Sequence, residues 1–252
     1  MVTTMITFSV NVIMKVRRTS GATFDPIADL YDRFASLTQD RFRRWITGVL
    51  PASGGRAIDL GCGSGRFLDL LADRYGEVVG VDASARMIDL AQARFPAVKC
   101  DVGDLWEATP ERLGVFDLVL GVNTLHHLGS DPAAYLAHVR RLVRPGGQVV
   151  VVDVVRHTPR WAANPVAYRV YRLGRTVRGA VRAGVAGGSV GDALAAVRLK
   201  RHEQWRNLAA DAHVLSRQEF RREYALAFPG ATFSDAVESS VCAVSWSAAP
   251  GE

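Results

Sequence analysis

Cysteine is scarce: the 252 residues contain three, Cys62, Cys100 and Cys242. Their spacing fits no metal-binding pattern and offers no disulfide framework, so a reducing, cytoplasmic setting is expected. Lysine is equally scarce. Lys15, Lys99 and Lys200 are the only lysines among 31 basic residues, and arginine supplies the rest of a net charge of +6. That excess permits nucleic-acid binding. Yet the chain has no helix-turn-helix, zinc-finger or RNP-like aromatic motif, so no nucleic-acid partner is expected. No apolar run is long enough to span a bilayer. The stretch Met5 to Met14 is broken by Ser9 and Asn11, and its positive charges, Lys15, Arg17 and Arg18, follow it, the reverse of a secretory signal. Residues 1–23 are read as a flexible tail.

What is present is an ordinary globular composition, 48% hydrophobic and 22% charged. The length suits one α/β domain with an insertion. The most specific segment is Asp59-Leu60-Gly61-Cys62-Gly63-Ser64-Gly65. It follows the apolar pair Ala57 and Ile58 and precedes a helix-like stretch from Arg66 to Tyr75, which reads as strand, glycine turn, helix. Glycine lets the backbone approach a ligand closely, and open α/β sheets bind nucleotides at such turns. The dinucleotide pattern G-x-G-x-x-G would need its third glycine where Arg66 stands. Here the order is acid-x-G-x-G-x-G. The next predicted strand ends in Asp82, about 20 residues beyond the loop, where a carboxylate accepts ribose hydroxyls. The loop holds no lysine for a pyrophosphate. It carries an acid, Asp59, suited to a positively charged amine.

The loop resembles the first motif of the class I S-adenosylmethionine-dependent methyltransferases, and further motifs follow in order. Gly80-Val81-Asp82-Ala83-Ser84-x-x-Met87 resembles the second, which implies that Ala83 and Met87 flank adenine. Gly103-Asp104-Leu105 resembles the third, with Asp104 accepting from the adenine amino group and Asp101 as a rival one turn of register away. Phe116-Asp117-Leu118-Val119-Leu120 with Leu125-His126-His127-Leu128 resembles the fourth strand and its loop; there Asn123 is expected to meet the cofactor's methionine end through its backbone. Leu142-Val143-Arg144-Pro145-Gly146-Gly147 resembles the approach to the fifth strand. Phe24-Asp25-x-x-Ala28-x-x-Tyr31-Asp32 resembles a helix that covers the cofactor, and Tyr31 either lines the acceptor pocket or packs on the sheet. Together these motifs are specific for fold and cofactor, not for the acceptor.

The rhythm of the chain agrees. Strands are predicted at 56–61, 77–82, 97–102, 116–122 and 148–154, with helices at 65–75, 84–95 and 131–144 and a short one near 107–113. Such alternation implies a parallel sheet with right-handed crossovers. Phe24 to Leu50 has helical spacing, and Ser216-x-x-Glu219 is a capping box opening a helix to Ala227. Two closing strands are read at 231–238 and 241–248. The expected fold is a Rossmann-like, doubly wound, seven-stranded α/β sheet, mostly parallel with an antiparallel last strand. Its expected divisions are a cofactor-binding core at 24–155, a helical lid at 156–213 and closing elements at 214–252.

In the lid, Trp161 to Val181 reads as a basic amphipathic helix after a break at Pro165. Val166, Val170, Leu173, Val177 and Val181 form one side and Arg169, Arg172, Arg175, Arg178 and Arg182 lie across the other. Three readings stand: a solvated face over a packed apolar stripe, a patch for peripheral membrane contact, or a site for an acidic substrate or nucleic acid. Gly184, Gly187, Gly188 and Gly191 read as a flexible hinge before a second helix from Asp192 to about Ala210. His202 and Trp205 either line the acceptor pocket or pack between helices.

The resemblance implies direct methyl transfer from S-adenosyl-L-methionine to oxygen, nitrogen or carbon of a small metabolite. A hydroxyl acceptor requires a base, and His126 and His127 sit where the cofactor methyl of this fold points. The second reading is a quinone or lipid methyltransferase at a membrane surface. The third is a cofactor-binding scaffold without turnover. No metal site is expected.

Overall fold

The computed structural model describes residues 24–38, 40–129 and 131–251. The expected tail at 1–23 lies outside the described residues.

Seven strands form one sheet in the order β3-β2-β1-β4-β5-β7-β6. They are β1 (Gly54–Leu60), β2 (Tyr75–Asp82), β3 (Lys99–Val102), β4 (Phe116–Val122), β5 (Val143–Val154), β6 (Thr232–Ser234) and β7 (Val241–Ser247). The first five pair in parallel, and β7 runs antiparallel between β5 and β6. This is the expected Rossmann-like sheet with its reversed last strand. Central parallel strands are covered on both faces, so they read as continuous apolar runs rather than alternating ones. The run at Leu118, Val119 and Leu120 is fully buried.

Two cores result. On one face α6 (Pro132–Leu142) and α10 (Arg217–Ala227) bury Leu136, Val139, Phe220 and Tyr224 against Ile58, Leu60, Val119 and Val149. On the other, α2 (Asp40–Val49), α3 (Leu68–Ala72) and α4 (Ala85–Arg94) bury Phe42, Ile46, Leu68 and Ile88 against Ala57, Leu118, Leu120 and Val150. The capping box of α10 forms as read: Ser216 Oγ accepts from Glu219 N, and Glu219 Oε2 accepts from Ser216 N.

The structure differs from the sequence reading at several boundaries. The apolar stretch Phe24 to Leu50 divides into α1 (Ala28–Ser36) and α2. The fifth strand begins at Val143, ahead of Pro145-Gly146-Gly147, with a register shift opposite β4. After β5 come α7 (Pro165–Gly187), α8 (Val190–Arg201) and α9 (Glu203–Asp211). The predicted helix from Asp192 is therefore two helices, parted at His202, whose extended backbone (ψ 134°) serves both as the end of α8 and as the N-cap of α9. The glycines do not form an open linker. Gly184 and Gly187 lie within α7, Gly191 lies within α8, and Gly188, at φ 68°, is the left-handed residue that ends α7.

The apolar stripe of α7 is also not packed. Val166, Val170, Leu173, Val177 and Val181 are all exposed, and it is Ala180 and Ala183 that are buried against Ala196 of α8. The inserted helices instead rest on α1: Ile27, Leu199 and Leu208 cluster with Phe24, Tyr31 and Trp205, and Arg33 pairs with Asp192 at 2.8 Å.

Candidate active site

The carboxyl ends of β1, β2 and β4 border a cavity of about 990 Å³, counting its open mouth. It lies where strand order reverses between β1 and β4, the crevice in which open α/β sheets bind ligands.

The glycine loop forms its floor. Gly61 has φ 77°, and a Cβ there would stand 2.4 Å from Thr124 Oγ1, so no other residue fits without displacing the loop after β4. Gly63 N donates to Asp82 Oδ2 at 2.9 Å, and Ser84 N donates to Asp82 Oδ1 at 2.9 Å. Two backbone amides thus aim the Asp82 carboxylate, and each oxygen keeps acceptor capacity for a ligand. Burial raises the Asp82 pKa above the ordinary range, against those two hydrogen bonds. Gly65 is not in the cavity wall. A Cβ there would press on Leu68, Phe95 and Ala91, so its role is to let the loop settle on the helices below.

Asp59 lies behind the loop, buried, with neither carboxylate oxygen hydrogen-bonded. Burial, reinforced by the charge of Asp82 and opposed by Arg66, pushes it up to about 7. A buried carboxylate without donors is expensive. Unlike Asp82, Asp59 does not line the cavity. The Asn123 side-chain oxygen is likewise buried without a hydrogen bond. Asn123 is in the wall at φ 56°, the one non-glycine residue with positive φ among the described residues. Asn tolerates that conformation better than most residues.

Ala83 and Met87 line the same cavity. Ser84 caps α4 by accepting from Met87 N at 3.2 Å, which fixes Met87 in the first turn of the helix. Asp104 and Leu105 line it too, and Asp104 Oδ1 accepts from Trp106 N at 3.0 Å. The rival Asp101 is outside the wall and faces Lys99 at 3.4 Å. Gly103 also lies outside, where its amide donates to Asp82 O at 3.0 Å.

A strap closes one side. Asp25, Asp29 and Asp32 fall along α1 and the turn before it at helical spacing. Asp25 accepts from Ser84 Oγ at 2.5 Å, Asp29 pairs with Arg86 at 2.7 Å, and Asp32 pairs with Arg94 at 3.0 Å and accepts from Ser64 Oγ. These ties hold Phe24 and Tyr31 against the cavity. A continuous chain of rings runs from α9 to the loop after β4. Trp205 stacks on Tyr31 at 5.7 Å, Tyr31 meets Phe24 edge-on at 5.8 Å, and Phe24 meets His127 edge-on at 5.3 Å.

Of the two histidines, His127 lines the cavity. Burial, and next the neighbouring His126, hold its pKa well below the ordinary value, so it is a neutral imidazole at neutral pH. His126 stands one ring behind, 4.0 Å away between centroids. Its Nδ1 is 2.6 Å from Asp153 Oδ1, and its backbone N donates to Asp153 Oδ2 at 3.2 Å. Trp205 is not in the wall and reaches the site only through Tyr31. His202 is not there either: its Nδ1 accepts from Gln204 N at 3.2 Å as a helix cap.

Sequence reasoning missed Asp153, together with the wall residues Arg66, Phe67 and Trp106. Asp153 carried the signal that identified Asp82, an acid at the carboxyl end of an apolar strand.

Residues 57–147 match the family profile described as "Methyltransferase domain". Over 125 residues the chain is 33% identical to a ubiquinone biosynthesis O-methyltransferase of Cereibacter sphaeroides, a match covering 48% of this chain and 50% of that one. The chain spans about half the length of the curated relatives it matches. Among solved structures, DhpI in complex with SAH superposes with a TM-score of 0.60 at 16% identity, covering 92% of this chain and 96% of that one. An S-adenosylmethionine-dependent methyltransferase of Thermotoga maritima, described as a possible histamine N-methyltransferase, gives 0.55 at 19% identity, covering 90% and 98%. At those identities the likeness is one of fold. Residues 57–147 carry a methyltransferase domain, and the sheet order and glycine loop agree with the class I S-adenosylmethionine-dependent methyltransferase fold.

Proposed function

We propose that this chain transfers a methyl group from S-adenosylmethionine to a small-molecule acceptor, with a hydroxyl on a flat, apolar molecule as the favoured target. One observation carries the reading: a single cavity joins an acid-anchored half, at Asp82, Ala83, Met87 and Asp104, to a ring-walled half that ends at His127. Asp82 holds the ribose, Ala83, Met87, Asp104 and Leu105 hold the adenine, and Asp59, Gly61, Gly63 and Asn123 hold the methionine end. Bound there, the cofactor supplies an electrophilic methyl on a sulfonium.

The protein's part is alignment and proton handling. Holding two reactants in line supplies several kcal/mol of the barrier. Phe24, Tyr31 and Trp106 offer flat apolar faces to an acceptor, and Trp205 backs Tyr31. A neutral His127 nitrogen takes the hydroxyl proton, while Asp153 fixes His126 behind it. Residues 156–213 cover the acceptor side. The O-methyltransferase relatives support an oxygen acceptor.

The test is incubation with isotopically labelled S-adenosylmethionine and a metabolite extract, read by mass spectrometry. Label in a low-molecular-weight hydroxylated product is expected. Cofactor binding by calorimetry without label in any product would leave a binding scaffold and overturn the catalytic reading.

A further inference from the structure

We propose that α7 seats this protein on an anionic lipid surface. Val166, Val170, Leu173, Val177, Val181 and Val185 are each between 52% and 79% exposed, although they follow one another along a single helical stripe. Trp161, also exposed, lies in the turn just before α7 with its ring edge-on to Tyr171 at 5.7 Å. Tryptophan at such a place suits the headgroup level of a bilayer.

The reason the stripe is bare lies in α8. That helix closes on α7 through Ala180, Ala183 and Ala196, small residues that let the two backbones approach, and this seam lies to one side of the valines. The stripe has no partner within the described residues.

Charge selects the occupant. From Pro165 to Gly187 there are five arginines and no acid. At about 100° per residue, Arg169 and Arg178 flank the stripe roughly a quarter turn to either side. Arg182 pairs with Glu238 at 3.2 Å and Arg175 lies over the Tyr171 ring at 5.8 Å. Among the described residues no acid pairs with Arg169, Arg172 or Arg178. A second copy laid face to face would set arginine against arginine. A nucleic acid would answer the charge and leave the valines in water. A bilayer with anionic headgroups answers both: the apolar stripe enters the acyl boundary, and the arginines extend to the phosphates. Among the described residues no helix is long and apolar enough to cross a membrane, so the contact is peripheral.

The experiment is co-sedimentation of the full chain with vesicles of phosphatidylcholine alone and of phosphatidylcholine with phosphatidylglycerol. Binding to the anionic vesicles is expected, with little to the neutral ones. The triple variant Val170→Ser/Leu173→Ser/Val177→Ser and the triple variant Arg169→Gln/Arg172→Gln/Arg178→Gln should each weaken it about tenfold or more. Leu226→Ser, at an exposed apolar residue of α10, should not. No binding of the unaltered chain to anionic vesicles overturns the proposal. So does binding that the serine variant keeps in full, especially with oligonucleotide binding lost in the glutamine variant, since the surface would then be a general polyanion site. A dimer in solution that the serine variant dissolves, without vesicle binding, would identify a second copy as the occupant. Because the readout is vesicle binding, failure here leaves the methyl-transfer reading untouched.

Discussion

His126 Nδ1 and Asp153 Oδ1 are 2.6 Å apart, joining the loop after β4 to the carboxyl end of β5. Asp153 also accepts from the backbone of His126 and of Val154. A buried carboxylate held this way fixes the ring in one orientation and one tautomer.

Replacement of Asp153 with Asn should lower turnover while cofactor affinity holds, because Asp153 is outside the cavity wall. It should also cost about 1–3 kcal/mol of stability through an imperfectly matched buried site. Turnover, calorimetry with S-adenosylhomocysteine and thermal melts separate these effects. Unchanged turnover would reduce the pair to a packing contact.

For His127, substitution by Gln should cut kcat on the order of 100-fold, as for loss of a general base. The folded-state pKa is depressed, so the protein gains stability from a neutral His127 above the unfolded value near 6.5 and loses it as pH falls below that. Melting curves of the Gln variant should therefore fall less steeply with acid. A parallel decline in both proteins would mean that His127 is not the group titrating.

Asp59 gives the opposite sign. Its folded pKa, about 7, lies above its ordinary value of 3.8, so the folded state holds the extra proton between them. Stability of the free protein should be fully present near pH 4 and decline toward pH 7, by on the order of a few kcal/mol. Asp59→Asn should abolish that slope and raise the melting temperature at pH 8, yet weaken cofactor binding. The parent's affinity should rise from pH 6 to 8 as the carboxylate ionises. An Asn variant that binds as well as the parent would remove Asp59 from the cofactor site.

Asp82→Ala should weaken cofactor affinity by about 2 kcal/mol or more, the loss of a charge-assisted pair of hydrogen bonds. The loop pays too, since Gly63 N and Ser84 N lose their acceptor. Calorimetry on the folded variant decides: full affinity would make Asp82 a loop brace alone.

Trp205→Ala should raise KM for the acceptor and leave S-adenosylhomocysteine affinity within a few-fold, because Trp205 meets the site through Tyr31. Equal loss of both would mean that α9 builds the cofactor pocket. Gly188→Ala should cost about 1–2 kcal/mol for a left-handed backbone, read by denaturant unfolding. A neutral substitution would mean that the α7–α8 turn relaxes freely.

Much of the expected cofactor site was legible as a single cavity wall because its spacing is local. The strand, the glycine loop and the acid at the next strand end are fixed by spacing along the chain, and so Gly61, Gly63, Asp82, Ala83, Met87, Asp104 and Leu105 all fall in one wall. The strand rhythm was legible for the same reason: parallel strands buried on both faces announce themselves as apolar runs.

What the sequence could not contain is the choice of partner. His126 and His127 are adjacent in sequence, yet only the arrival of β5 decides that one meets Asp153 and the other the cavity. His202 and Trp205 looked like a pair, but a break in the helix turned His202 into a cap while Trp205 stacked on Tyr31. In α7, periodicity set a face of valines against a face of arginines. Tertiary packing took neither and buried Ala180 and Ala183, because closely approaching helices need small side chains, and left the valines facing outward. Amphipathic spacing is a property of one segment; which face is buried depends on the shape of the segment that comes to meet it.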